Sequence, residues 1–138
     1  MARRVYFAFD YQDVFVVNHI RRSGQFVGIA VAGFADASMW EKLKRRDDAK
    51  IKQAIDATLA GTSVTVCYIG PRTATRRYVR YELAASRARN KGLLGIYLPG
   101  MRGHPIPATL TAARAPVYQW NPSRFPAWIE LAAQRVGR

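Results

Sequence analysis

The sequence predicts an α/β domain with a parallel sheet covered by helices on both faces. Three observations carry that prediction. Short β-rich runs alternate with longer stretches of helical periodicity along the chain, the pattern of strand–helix–strand units with right-handed crossovers. The runs at residues 4–9 and 62–69 are almost unbroken in apolar or β-branched residues, as strands buried on both faces must be. No repeat, low-complexity tract or linker divides the 138 residues, so the chain reads as one domain, 1–138.

The first strand is residues 4–9, RVYFAF. Asp13 is placed to cap a helix running to Arg22, with Phe15, Val16 and Ile20 as its inward residues. Ser23 and Gly24 break it. Residues 25–34 form a weaker second strand, because glycine and alanine lower its β-propensity. Asp47 or Asp48 opens the next helix, whose stripe is Ile51, Ile55 and Leu59, and Gly61 closes it. Residues 62–69 are the strongest strand, cut off by Gly70-Pro71.

Thr73 or Thr75 is placed to cap a helix reaching about Arg89, with Asn90-Lys91-Gly92 as its stop. Residues 93–98 make a fourth strand. Residues 99–115, rich in proline and glycine, read as a loop, 116–120 as a short fifth strand, and 122–136 as a last helix. Five strands in so short a chain point to the flavodoxin-like order 2-1-3-4-5. In such sheets ligands bind beyond the carboxyl ends of the strands, where strands 1 and 3 diverge. The segments converging there are Phe9-Asp10-Tyr11, the loop holding Asp36, Gly70-Pro71 and the loop after Leu98.

Several function classes are excluded by what is missing. One cysteine, Cys67, cannot build a disulfide framework. That thiol and two distant histidines, His19 and His104, do not make a metal site. Neither phosphate-loop nor dinucleotide-binding glycine motifs occur, and there is no nucleophile elbow. The third strand ends Tyr68-Ile69-Gly70, without the aspartate a response regulator needs. The apolar run after Met1-Ala2-Arg3-Arg4 stops at Asp10, short of a signal peptide, and residues 26–35 are too few to span a bilayer. The expectation is a soluble cytoplasmic protein.

The charge is distinctive: 22 Lys and Arg against 9 Asp and Glu, a formal +13, which favours an anionic partner. The arginines are spread over several elements rather than gathered with aromatics, which argues against nucleic-acid binding. Within this background Glu82 is the one carboxylate between Ala57 and Ile129. It lies in Arg77-Tyr-Val-Arg-Tyr-Glu-Leu83 on the helix after the third strand. Val79 and Leu83 should face the core, leaving Tyr78 and Glu82 together on the adjoining flank. Spacing alone leaves open a surface pair with an arginine, worth only tenths of a kcal/mol.

Arg4-Val-Tyr-Phe-Ala-Phe-Asp-Tyr-Gln-Asp13, Gly33-Phe-Ala-Asp-Ala-Ser-Met-Trp-Glu41, Gly61-Thr-Ser-Val-Thr-Val66, Tyr78-Val-Arg-Tyr-Glu-Leu83, Gly92-Leu-Leu-Gly-Ile-Tyr97 and Trp120-Asn-Pro122 occur in that order. Together they resemble the bacterial TIR-like family of Thoeris anti-phage defence, over essentially the whole chain. The resemblance implies a flavodoxin-like TIR fold and NAD as substrate, not cofactor, cleaved at its nicotinamide–ribose bond. It implies a cyclic or otherwise modified ADP-ribose that reaches a separate effector protein by diffusion. A phage-derived trigger and self-association into a homo-oligomer are further partners it suggests.

On that resemblance Glu82 takes the place of the family's catalytic glutamate, in an aromatic-x-x-x-Glu context. Tyr78 stands where many TIR enzymes have tryptophan, and Ala8 where a serine is common. Nicotinamide leaves as a neutral base from a cationic ring, so no general acid is needed. One carboxylate suffices to steady the oxocarbenium-like ribose.

The expected substrate contacts are Phe9 and Tyr11 stacking on a ring, Asp10 and Asp36 holding ribose hydroxyls, Tyr78 as an aromatic face, and Arg77 beside Arg76 attracting the diphosphate. Asn18 and His19 read as packing or surface residues and Trp40 as a hydrophobic anchor. The alternative function is a non-catalytic TIR-like interaction or scaffold module.

Overall fold

The computed structural model describes residues 3–21, 29–32 and 47–138. Strand β1 (Arg3–Ala8) leads through a short 3-10 turn (Tyr11–Asp13) into helix α1 (Val14–Arg21), and β2 is Ile29–Ala32. Helix α2 (Asp48–Leu59) precedes β3 (Val64–Ile69); a second 3-10 turn (Thr73–Thr75) then enters α3 (Arg77–Ala88). Strand β4 (Gly92–Tyr97), helix α4 (Ala108–Ala112), β5 (Val117–Gln119) and α5 (Phe125–Arg135) complete it. All pairings are parallel and the order is β2-β1-β3-β4-β5. Among the described residues no helix is long and apolar enough to cross a membrane.

Register explains how the sheet is covered. Tyr6 pairs with Thr65, and Ala8 with Cys67; in a parallel ladder such partners share a face, and their neighbours Phe7, Val66 and Tyr68 take the other. On the first face Tyr6 reaches Glu82 of α3 and Thr65 reaches Ser86, 2.7 Å away. On the second, Phe7 meets Tyr68 edge-on at 4.9 Å, and Tyr68, Trp120 and Phe125 continue the chain of rings into α5. Every residue of β3 is buried, which accounts for its unbroken apolar reading. Gly92 is required where β4 starts: a Cβ there would lie 2.5 Å from the Ala132 carbonyl oxygen of α5.

Four expectations are corrected. In α1 the inward residues are Val14, Val17 and Ile20, while Phe15 is 77% and Val16 42% exposed. Four apolar residues run together at 14–17, so periodicity could not set the helix phase there. Asp10, not Asp13, caps this entry, accepting from the Gln12 amide at 3.4 Å. Thr73 and Thr75 form their own 3-10 turn, and α3 starts after Arg76 with no side-chain cap. The loop expected over 99–115 contains α4, a helix of 5 residues, too short to leave a periodic signal.

The stop after α3 agrees with its signal: Asn90 takes a left-handed φ of 55°, a conformation asparagine tolerates. Of the second strand expected over 25–34, residues 29–32 are described and form β2; Asp36 and Trp40 lie outside the described residues.

Candidate active site

A cleft of about 370 Å³ opens beyond the carboxyl end of β1, beside β3, the position this strand order favours for ligands. Its floor and walls include Phe9, Asp10, Tyr11, Arg76, Arg77 and Tyr78. Five of these, Phe9, Asp10, Tyr11, Arg77 and Tyr78, are substrate contacts expected from the sequence. Gln12, Ile51 and Val79 also line it; an apolar helix position next to a cleft carries no sequence signal separating it from ordinary core.

Charge in the cleft is organised by a few pairs. Asp10 is buried and its carboxylate accepts from the Arg76 guanidinium at 2.9 Å. Asp13 sits one turn on, pressed against Gly70; a Cβ at Gly70 would come within 2.3 Å of its Oδ2. That oxygen has no hydrogen-bond partner among the described residues. Burial and then the Asp10 charge push the Asp13 carboxyl upward, against the pull of Arg76. On the opposite wall the Tyr78 hydroxyl donates to Asp48 at 3.0 Å, and Arg77 pairs with the same carboxylate. Arg77 is thus held at the rim by α2, and its guanidinium lies 5.3 Å from the Tyr78 ring.

While Tyr78 is half-buried, Glu82 is turned inward rather than lying out on the adjoining flank. It is fully buried, within a stripe of α3 that also holds Val79, Leu83 and Ser86. Positions 79, 82, 83 and 86 follow one helix face, and an apolar-only count concealed that two of the four are polar. One carboxyl oxygen of Glu82 accepts a short hydrogen bond from the Tyr6 hydroxyl, and the other has no partner among the described residues. Burial pushes the Glu82 carboxyl up to about 8, the Tyr6 hydrogen bond opposing. Burial and the Glu82 charge raise the Tyr6 phenol and the Cys67 thiol as well.

Tyr6 and the Thr65–Ser86 pair are thus neighbours of Glu82 that sequence reasoning missed. Ser86 also donates to the Glu82 carbonyl at 2.7 Å, tying that turn of α3 to β3. Glu82 itself does not line the cleft; Val79, one turn earlier on α3 and about 4.5 Å back along its axis, does. Asn18 is buried with its Oδ1 unpartnered among the described residues, whereas His19 is exposed.

The family model described as "Thoeris protein ThsB, TIR-like domain" matches residues 6–102. Tyr6, Glu82 and every described residue lining the cleft fall inside that span. A Bacillus cereus (strain MSX-D12) protein named "Putative cyclic ADP-D-ribose synthase ThsB1" is 32% identical over 156 aligned residues. The alignment covers 100% of this chain and 81% of that relative.

Proposed function

Because the chain belongs to the Thoeris ThsB TIR-like family, we propose that it is an NAD-consuming enzyme of antiviral defence. In this reading it has the flavodoxin-like TIR fold, with five strands in the order 2-1-3-4-5, and works in the cytoplasm. It breaks the nicotinamide–ribose bond and releases a cyclic or modified ADP-ribose that activates a separate effector. NAD is consumed as substrate, and a phage-derived trigger and self-association complete the active state. The name of the B. cereus relative supports the product class.

The observation that carries the reading is Glu82, a fully buried carboxyl with one oxygen unpartnered among the described residues, behind a cleft. An unsatisfied buried acid costs stability, and strongly shifted acids collect at functional sites. The chemistry follows from charge. As the bond breaks, its electron pair moves to the pyridinium nitrogen, nicotinamide departs neutral, and positive charge appears on the ribose C1′. A carboxylate aimed at that carbon lowers the barrier, and its advantage is larger where water is excluded. A hydroxyl of the adenosine ribose, losing its proton, closes the ring; water in its place gives ADP-ribose.

With its carboxyl near 8, Glu82 is ionised in only about one molecule in ten at pH 7. A cationic nicotinamide ring entering the cleft supplies the opposite charge that draws the proton off. Tyr6 stays protonated and holds the carboxylate's orientation. Asp10 and Arg76 bind ribose hydroxyls and diphosphate, Phe9, Tyr11 and Tyr78 give aromatic faces, Arg77 adds charge at the rim, and Asp36 is assigned the remaining ribose contact. Glu82, buried and outside the cleft lining, must be uncovered to touch C1′, which is a role for the trigger.

The test is nicotinamide release from NAD by wild type and by Glu82→Gln. One feature favours the second reading, a non-catalytic interaction module: Glu82 is fully buried and does not line the cleft. That reading predicts partner capture that Glu82→Gln leaves intact and no nicotinamide release under any trigger.

A further inference from the structure

The end of the sheet opposite the cleft carries a second cavity of about 280 Å³. It lies by the amino ends of β4 and β5, one strand length from the cleft, or about 20 Å for six residues. Its charged walls are Arg87 and Lys91 at the end of α3, Arg114 between α4 and β5, and Arg135 in the last turn of α5. No carboxylate lines it. Lys91 is 6% exposed and its ammonium has no ion pair or hydrogen bond among the described residues. Burial first, then Arg138 and Arg89 outside the cavity wall, pull its pKa down.

Cations at helix C-termini have an ordinary explanation, since each helix end carries about −0.5 charge. Here the magnitudes decide. Three helix ends offer about −1.5 at most, against four lining cations. The carbonyls of Arg89 and Asn90 are already taken by Arg138, at 3.1 and 2.8 Å. Arg89 is itself paired with Asp56 at 3.3 Å, outside the cavity wall. Arg87 donates to the Ala112 carbonyl at 3.5 Å, and with no carboxylate in the wall the helix ends offset the four cations only in part.

We propose that this cavity binds a diphosphate group, either free or as the arm of a nucleotide. One phosphate brings up to about two negative charges, so two linked phosphates match four cations drawn from three elements more closely. The volume is just under the ~300 Å³ at which pockets begin to enclose drug-sized ligands, so a nucleoside would remain outside. Arginines from separate elements also suit the fixed donor geometry that phosphates reward.

Calorimetric titration with inorganic diphosphate and, separately, ADP tests this. Wild type should bind one equivalent at this site. Arg114→Gln/Arg135→Gln should weaken binding about a hundredfold and Lys91→Gln about tenfold, with unchanged circular dichroism and melting. Arg102→Gln, on the loop after β4 and in neither cavity, should change affinity by less than twofold. Equal affinity for the two probes assigns the site to free diphosphate, and tighter ADP binding assigns it to a nucleotide. The proposal is overturned by absent saturable binding, or by Arg102→Gln weakening it as much as the double variant does. It is also overturned if Arg76→Gln in the cleft abolishes binding and the double variant does not.

Discussion

Replacing Glu82 by glutamine isolates one proton. The amide keeps the shape and still accepts from the Tyr6 hydroxyl, but it cannot ionise. In wild type burial raises the carboxyl from 4.5 to about 8, so the native state holds its proton to higher pH than the unfolded chain does. The sign follows: the stability is complete below about pH 4.5 and is lost as pH rises towards 8. A shift of about 3.5 units corresponds to roughly 5 kcal/mol in full at 1.36 kcal/mol per unit. About 2 kcal/mol of that is gone at pH 6, and about 3 kcal/mol more disappears between pH 6 and pH 9.

Urea unfolding at pH 6 and pH 9 reads this directly. Glu82→Gln should gain about 3 kcal/mol on wild type between the two. A stability difference that stays constant over that interval would refute a raised carboxyl at Glu82, and with it the ionisation step proposed for catalysis.

Other outcomes follow from neighbouring contacts. Tyr6→Phe removes the hydrogen bond that holds the Glu82 carboxyl down, so the alkaline rise in activity should move to higher pH and stability should fall by about 1–3 kcal/mol; a pH–rate profile and urea melts check both. Gly92→Ala forces a Cβ against the Ala132 carbonyl and should cost about 1–3 kcal/mol or more by differential scanning calorimetry. Arg76→Gln leaves buried Asp10 without its cation. Because Arg76 is 41% exposed, the loss should lie between surface and buried pairs, about 1–3 kcal/mol by urea unfolding, and KM for NAD should rise.

What could be read from the sequence depended on how each element announces itself. The alternation of strands and helices and the parallel sheet followed from the apolar runs of β1 and β3. The Asn90 stop followed from the backbone freedom of that residue type. The expected cleft residues Phe9, Asp10, Tyr11, Arg77 and Tyr78 do line one cavity, because strand ends in such a sheet converge.

The phase of α1 was hidden by consecutive apolar residues, and α4 by its length. The deepest miss concerns Glu82. Treating only apolar side chains as inward placed it on a flank, whereas Tyr6, Thr65 and Ser86 form a polar seam between sheet and helix that accommodates it. Polar groups satisfy one another in three dimensions, and one-dimensional hydrophobic patterning does not register them.

The most direct test is chromatographic measurement of nicotinamide released from NAD at pH 8–9, with wild type and Glu82→Gln side by side under the same triggering conditions. Wild type should release nicotinamide, and the amide should lower the rate by about a hundredfold or more, the scale of losing one electrostatic stabiliser. A Glu82→Gln protein that releases nicotinamide at the wild-type rate would contradict the role given to this carboxylate.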